Sequence, residues 1–194
     1  MELRLLTYDE IKTLYQERME DDFPDDELKP FFIIEQHIRD GIYDCYGLCE
    51  GGFIYAYAYC LKIPYKGSNV YLIDYLAVEK NHRARGLGSM TLKLLKQELM
   101  DKALVVLVEV ENPDFATPED LEEATRRLSY YVNNGIVETG ASEYLYHVEY
   151  KLLQMLLNSD TPRTRDEIFE LIDVVYRTIF PEEIYKNQLS YHKD

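Results

Sequence analysis

The chain has 194 residues, enough for one domain with an appendage and for a sizeable core. Its 46% apolar and 29% charged residues mark it as globular rather than disordered, and a formal charge of −15 argues against a nucleic-acid-binding module, whose affinity comes largely from neutralising phosphates. No apolar run approaches the roughly 18 residues of a membrane span, and the start MELRLLTYDE lacks the apolar core of a signal peptide, so a cytoplasmic protein with no membrane partner is expected.

Leu3 to Leu6 reads as a short strand. Tyr8 to Met19 then places Ile11, Leu14 and Tyr15 at the spacing of an amphipathic helix. Glu20 to Glu27 is an acidic link in which Pro24 opposes helix. A second helix is predicted from Pro30 to Arg39, closed by Gly41. Two Tyr-rich apolar runs, Asp44 to Glu50 and Phe53 to Ile63, flank Gly51-Gly52 and predict a hairpin. Pro64 to Ser68 is a turn. Val70 to Val78 is an apolar strand broken only by Asp74, and a helix beginning just after Gly88 carries Met90, Leu92, Leu94, Leu95 and Leu99 on one side and lysines on the other.

Ala103 to Val110 reads as an interior strand and Asn112 to Asp120 as a loop. Thr117-Pro118-Glu119-Asp120 has the residues of a helix start, with Thr117 as N-cap, and that helix runs through Tyr130 and Tyr131 to a stop at Asn134-Gly135. Strands follow around Ile136 to Thr139 and Tyr146 to Met155. Asp160-Thr161-Pro162 marks a boundary, after which Arg165 to Ile179 is a helix and Pro181 begins a short last one. The expected fold is α/β: a mixed, mostly antiparallel sheet with helices on both faces and a C-terminal helical extension. Residues 1–158 form the main domain in this reading. Residues 159–194 form the extension, packed on that domain or on a partner subunit, in a monomer or homodimer.

The stretch that points to chemistry is Arg83-Ala84-Arg85-Gly86-Leu87-Gly88, between a strand and a helix. Gly86 and Gly88 let backbone N–H groups face one point beside the positive end of a helix, which suits a phosphate. Residues 80–102 carry six Lys/Arg against two acids, so the one locally basic segment of an acidic chain is this turn and its helix. A P-loop would need GxxxxGK[ST], which is absent. A dinucleotide fingerprint would need a small residue where Thr91 stands and a turn directly off the strand; Glu109 could still serve as its ribose-binding acid, so that alternative is weakened and not closed.

A strand ending LAV, then R-x-x-G-x-G as Arg83 to Gly88, then a helix, the strand VLVEV and a Tyr-x-x-x-Gly from Tyr131 to Gly135 together resemble the GCN5-related N-acetyltransferase (GNAT) superfamily over roughly residues 1 to 155. The chain departs from the pattern in a longer loop at 112–120, in Ile136 where an aromatic is commoner, and in its tail. The resemblance implies an acyltransferase: an acetyl-CoA-dependent N-acetyltransferase acting directly on a primary amine. It implies acetyl-CoA pyrophosphate on the N–H groups of Arg83, Ala84, Arg85, Gly86, Leu87, Gly88 and Ser89, and pantetheine along the backbone of Leu76, Ala77 and Val78. It implies Tyr131 as the group that protonates the leaving thiolate. For the proton lost by the amine it offers Glu109 and Asp74, with a water relay as the third possibility.

The remaining polar residues add little. Cys45, Cys49 and Cys60 match no zinc spacing and read as reduced packing residues, away from the cofactor elements. His37, His82, His147 and His192 are scattered without ligand spacing, so no metal is expected. The acidic link and the overall charge suggest a small, cationic amine acceptor, with a peptide amine also admitted and no nucleic acid. The competing class is a non-catalytic CoA-binding or protein-interaction module on the same fold.

Overall fold

The structure, a computed structural model, describes residues 1–24 and 27–191. It is a mixed α/β fold. Its eight strands among the described residues lie in one open, mostly antiparallel sheet in the order β1-β2-β3-β4-β5-β7-β6-β8. The chain divides into two compact units, one of residues 1–62 and 73–98, the other of residues 63–72 and 99–194.

In the first unit β1 (Glu2–Leu5) pairs antiparallel with β2 (Tyr43–Glu50), and β2 with β3 (Phe53–Tyr65). Helix α1 (Tyr8–Leu14) starts at Thr7, whose hydroxyl accepts from the N–H of Glu10 while Glu10 reaches back to Thr7 N–H. The Arg4 guanidinium closes on the same carboxylate at 2.6 and 2.9 Å and pushes Glu10 down to about 2. The chain does not leave helix at Glu20, as the acidic run suggested. It widens into a π-helical turn (Tyr15–Met19) and continues as α2 (Glu20–Asp22). Phe23 is the first extended residue (φ −133°, ψ 146°), because the ring of Pro24 disfavours helix in the residue before it. Asp25 and Asp26 of that run lie outside the described residues. Helix α3 (Phe31–Arg39) ends at Gly41 with φ +72°.

Strand β4 (Ser68–Val78) passes from the second unit into the first, and α4 (Leu87–Leu99) follows it. The turn before β4 is tighter than expected. Pro64 still lies in β3, and Lys66-Gly67, both left-handed, reverse the chain. The buried core of this unit is dominated by aromatic residues, with Tyr46, Tyr57 and Tyr59 fully enclosed beside Leu48, Leu61 and Ile34.

In the second unit β5 (Val105–Glu111) pairs with β7 (Val148–Met155), β7 with β6 (Ile136–Leu145), and β6 with β8 (Leu189–Tyr191), all antiparallel. Helix α5 (Leu121–Asn133) begins a few residues after the predicted start, although Thr117 accepts the N–H of Asp120 as a cap would. Strand β6 is longer than its sequence suggested and ends in a two-residue turn, Tyr146-His147, with both residues left-handed. Hairpins take that turn type readily with Asn-Gly; Tyr-His hides it. Helix α6 (Arg165–Ile179) is capped by Thr164 and packs on β6, burying Ile168, Leu171, Ile172, Val175 and Tyr176. Helix α7 (Glu182–Gln188) leads into β8, a strand the sequence did not announce.

Candidate active site

The basic turn is built in the first unit. Glu79 leaves β4 with its N–H bonded to the carbonyl of Tyr55 (2.8 Å), and Lys80–His82 form one 3-10 turn capped by the Glu79 carboxylate. Ala84 (φ +59°) and Gly86 (φ +76°) are both left-handed. Alternating left- and right-handed residues turn successive N–H groups towards one side, the concave arrangement that cradles anions. At Gly86 it is backbone conformation and not crowding that calls for glycine, since an added Cβ would meet nothing within 4 Å. The first helical bond runs from Met90 N–H to Gly86 C=O (3.0 Å), leaving the N–H groups of Leu87, Gly88 and Ser89 ahead of the α4 ladder. Leu87 anchors the turn by packing with Leu48, Ala56, Tyr55, Val78 and Leu94. Thr91, fully buried, bonds the Leu87 carbonyl at 2.8 Å.

The two arginines differ. Arg83 donates through Nε to Val78 C=O (3.1 Å) and through a terminal nitrogen to Asp22 (2.6 Å). Asp22 is itself buried and also accepts from the Tyr57 hydroxyl (2.8 Å). Arg83 is therefore pre-aimed by an acid of α2, half its side chain still exposed, whereas Arg85 lies exposed on the turn. Leu76, Ala77 and Val78 are half-buried at the end of β4.

Asp74, also in the first unit, has both oxygens occupied. Lys29 Nζ holds Oδ1 at 2.6 Å, and the Tyr43 hydroxyl donates to Oδ2. Burial, and then the Asp74 charge, drive the Tyr43 phenol well above its ordinary value. Around them the Tyr75 hydroxyl accepts from Lys29 N–H (2.8 Å) and donates to Glu27 C=O (3.0 Å), and burial moves Tyr75 up to about 12. The three cysteines are free and buried.

In the second unit Glu109 sits on β5 between the buried Val108 and Val110. The Tyr176 hydroxyl of α6 donates to Glu109 Oε1 and lies 2.7 Å from Oε1 of Glu143, a fully buried acid of β6. Burial first, and then the neighbouring Glu109 charge, raise Glu143 well above the ordinary carboxyl range. Tyr131 is buried near the C-terminal end of α5, with the Tyr130 ring edge-on at 5.1 Å. Gly135 (φ +77°), four residues after Tyr131, closes that helix.

Residues 8–117, more than half of the chain, match the model of the acetyltransferase (GNAT) family. The chain belongs to that family. No curated protein matches the sequence at a significant level. Among solved structures, a GNAT-family protein from Bacteroides thetaiotaomicron is similar at a TM-score of 0.66 and 15% identity, over 92% of this chain and 97% of that one. Arabidopsis thaliana NAA60, solved in complex with acetyl-CoA, is similar at 0.60 and 13% over 81% and 98%. The ribosomal-protein-S18-alanine N-acetyltransferase of Escherichia coli is similar at 0.56 and 16% over 83% and 96%. At such identities the likeness is one of fold. Family membership implies use of acetyl-CoA. Among the described residues no helix is long and apolar enough to cross a membrane, and no group of His, Cys, Asp and Glu is arranged to hold a metal ion.

Sequence reasoning missed Asp22, Lys29 and Tyr43 in the first unit and Glu143 and Tyr176 in the second. A signal for Glu143 exists. Ala141, Glu143 and Leu145 alternate towards one buried face, which sets an acid among apolar residues of a strand. Reading the strand as ending at Thr139 left it out of view. Tyr176 lies on the apolar stripe of α6, where its hydroxyl is the only group that asks for a polar partner among Ile168, Ile172 and Val175.

Proposed function

We propose that the chain transfers the acetyl group of acetyl-CoA directly to a primary amine, with residues 83–89 as the pyrophosphate cradle. The observation that supports this most is the pair of left-handed residues, Ala84 and Gly86, feeding the open first turn of α4. A pyrophosphate fits it: the N–H groups of Leu87, Gly88 and Ser89 precede the helical ladder, Arg85 adds an exposed guanidinium, and Arg83 is steadied by Asp22. The backbone of Leu76, Ala77 and Val78 is assigned to the pantetheine arm.

When bound, acetyl-CoA supplies the acetyl group as a thioester. The acceptor arrives as an ammonium with a pKa of about 10 and must give up a proton before its nitrogen can attack. Glu109 is the better candidate to take it, because the charge of Asp74 is balanced by Lys29 at 2.6 Å whereas the neighbour of Glu109 is another acid, Glu143. Tyr131 is assigned to protonate the thiolate that leaves as the C–S bond breaks. In this reading residues 1–158 do the chemistry and residues 159–194 form an extension to it. The net charge of −15 and the acids of α2 favour a cationic acceptor, either a small polyamine-like molecule or a basic peptide amine.

Calorimetry with CoA and with acetyl-CoA, followed by thiol release over a panel of amines, tests the reading. Binding in the micromolar range, lost on Gly86→Val, with turnover fastest on polyamines or basic peptides is expected. Binding with no turnover on any amine would leave a CoA-binding module. A preference for neutral or anionic acceptors would remove the cationic class.

A further inference from the structure

Glu143, Glu109 and Tyr176 come from three elements of the second unit and meet through one phenolic oxygen. Their meeting is set by strand register. Glu109 lies opposite Leu152 of β7. Across β7, Glu143 lies opposite Tyr150 because an irregularity between Glu138 and Ala141 inserts Thr139 and Gly140 into β6. Gly140 is left-handed (φ +72°), and Thr139 fixes the bulge by donating to Leu152 C=O (2.6 Å) and accepting Ala141 N–H (3.1 Å). Were Thr139 and Gly140 paired in regular register instead of bulged out, Glu143 would sit two positions, roughly 7 Å, further from Glu109 along the sheet. The bulge therefore draws together two acids that lie on one face of β7, under Tyr176.

Proton counting decides the state of this group. A phenol has one hydrogen to give, and the Tyr176 hydroxyl reaches oxygens of both carboxyls. If it donates to Glu109, its contact with Glu143 is favourable only when Glu143 carries a hydrogen of its own. The second oxygen of Glu143, Oε2, is buried with no hydrogen-bond partner among the described residues. A carboxylate oxygen in that position would be left desolvated and uncompensated. Other ionisable groups stand around the pair, none of the described ones bonded to that oxygen. Tyr150 of β7 and Tyr191 of β8 face Glu143 in register, and the Tyr191 phenol is itself raised by burial and then by the Glu143 charge. Asp173 of α6 adds a further acid and is taken up by Arg177 (2.7 Å) and by Tyr185 of α7.

We propose that Glu143 is held as a neutral carboxylic acid at neutral pH, and that it and Tyr176 are positioning residues which fix Oε1 of Glu109 for its proton transfer. This rests on Glu109 as the base of the proposed reaction. The C-terminal extension is then part of the catalytic apparatus through one hydroxyl of α6. The proton that Glu109 takes from the acceptor is separate from the one resident on Glu143: the phenol donates to Glu109 throughout, and the Glu143 O–H donates into the pair.

Infrared spectroscopy of protein labelled with carbon-13 glutamate reads the resident proton without reference to activity. A protonated-carboxyl band at pH 7 in the wild type, lost in Glu143→Gln and kept in Glu109→Gln, is expected. Absence of the band, or its loss only in Glu109→Gln, overturns the proposal. The pH profile of kcat/KM reads the positioning role. Tyr176→Phe removes a donor to Glu109 and moves the acid limb upward by about one unit, roughly a tenfold loss below the limb. Glu143→Gln, a neutral isostere, keeps the wild-type limb, whereas Glu143→Ala does not. An unmoved limb in Tyr176→Phe overturns the role of the hydroxyl. Full turnover in Glu109→Gln would instead remove Glu109 as the base, and the infrared result would stand apart from it.

Discussion

Asp74 and Glu109 are both strand acids beside apolar neighbours, and each is touched by a tyrosine hydroxyl. What differs is the second partner. Asp74 has Lys29, a cation at 2.6 Å that balances its charge and ties residues 27–29 to β4. Glu109 shares its tyrosine with Glu143, an acid. A carboxylate matched to an ammonium is settled as a charge and has its lone pairs committed. A carboxylate matched to another carboxyl is settled only when a proton is present between them. The first arrangement suits a fixed structural tie. The second keeps a proton in play, which is what an acid–base group needs.

Exchanging each acid for its amide gives the largest expected effect and the most direct way to break this contrast. Glu109→Gln should lower kcat/KM by about 10²- to 10⁴-fold, the usual weight of a general base, with little change in thermal midpoint. Asp74→Asn should leave the folded enzyme within about tenfold of wild-type turnover, a small part of what removing a base costs. Steady-state kinetics on both variants with one amine decides between them. If Asp74→Asn carries the kinetic loss, the roles are reversed.

Stability should show the opposite ranking. Asp74→Asn leaves Lys29 without its anion and weakens the Tyr43 bond. A loss of about 2–3 kcal/mol is expected, below the value for a wholly enclosed pair because Lys29 keeps 28% of its side-chain exposure. Lys29→Met, which strands the acid, should lose a similar amount. Urea unfolding of the two variants and their double mutant measures the coupling; independent, additive losses would mean that the pair does not act as a unit.

How far these networks were legible in the chain depends on what each residue had to reveal. The β-turn-helix from Val70 to Leu99 was plain because its apolar spacing, its glycines and its basic residues agree with one another. The hairpin at Gly51-Gly52 and the helix end at Gly135 were plain for the same reason: glycine marks a left-handed backbone. The turns at Tyr146-His147 and at Ala84 use the same backbone without glycine, so residue type concealed the first, and the second was placed only by the glycines that follow it at Gly86 and Gly88. The partners of both acids were not legible. Lys29, Tyr43 and Tyr176 lie 45, 31 and 67 positions from the acids they touch, distances that no local pattern encodes. Glu143 came closest to being readable, but the bulge at Thr139-Gly140 interrupts the strand just where its alternation would have been counted.

The pH dependence of stability sharpens the contrast further. Glu143 has its folded-state pKa raised above the ordinary 4.5 by burial and by Glu109. The folded state therefore binds more protons than the unfolded chain above that pH. The stability it contributes is complete below about pH 4.5 and is lost as pH rises through the folded value. Glu10 has the reverse linkage: Arg4 and Thr7 depress it to about 2, so its contribution is present above pH 4.5 and is lost as pH falls towards 2. Thermal midpoints of wild type against Glu143→Gln should converge at pH 4.5 and separate above it, with the variant the more stable at pH 8. Wild type against Glu10→Gln should separate at pH 7 and converge near pH 2. Parallel curves for Glu143→Gln across the whole range would mean that its carboxyl titrates as it does in the unfolded chain.

The smallest effect is expected at the turn itself. Ala84 holds a left-handed conformation (φ +59°) that costs an L-residue roughly 1 kcal/mol, and glycine would relieve it. Glycine also adds freedom to the unfolded chain, worth about 0.4–1 kcal/mol in the other direction. Ala84→Gly should therefore leave the thermal midpoint within a degree or two, since the two terms nearly cancel. Its effect on CoA affinity is a separate matter. The N–H groups of the proposed cradle are aimed by the backbone of Ala84 and Gly86, and a looser residue at the first position lets that aim spread before a ligand binds. Calorimetry should show about two- to fivefold weaker CoA binding, with a less favourable entropy, because ordering the turn is then charged to binding. Unchanged affinity would mean that Gly86 and the first turn of α4 hold the cradle without help from Ala84.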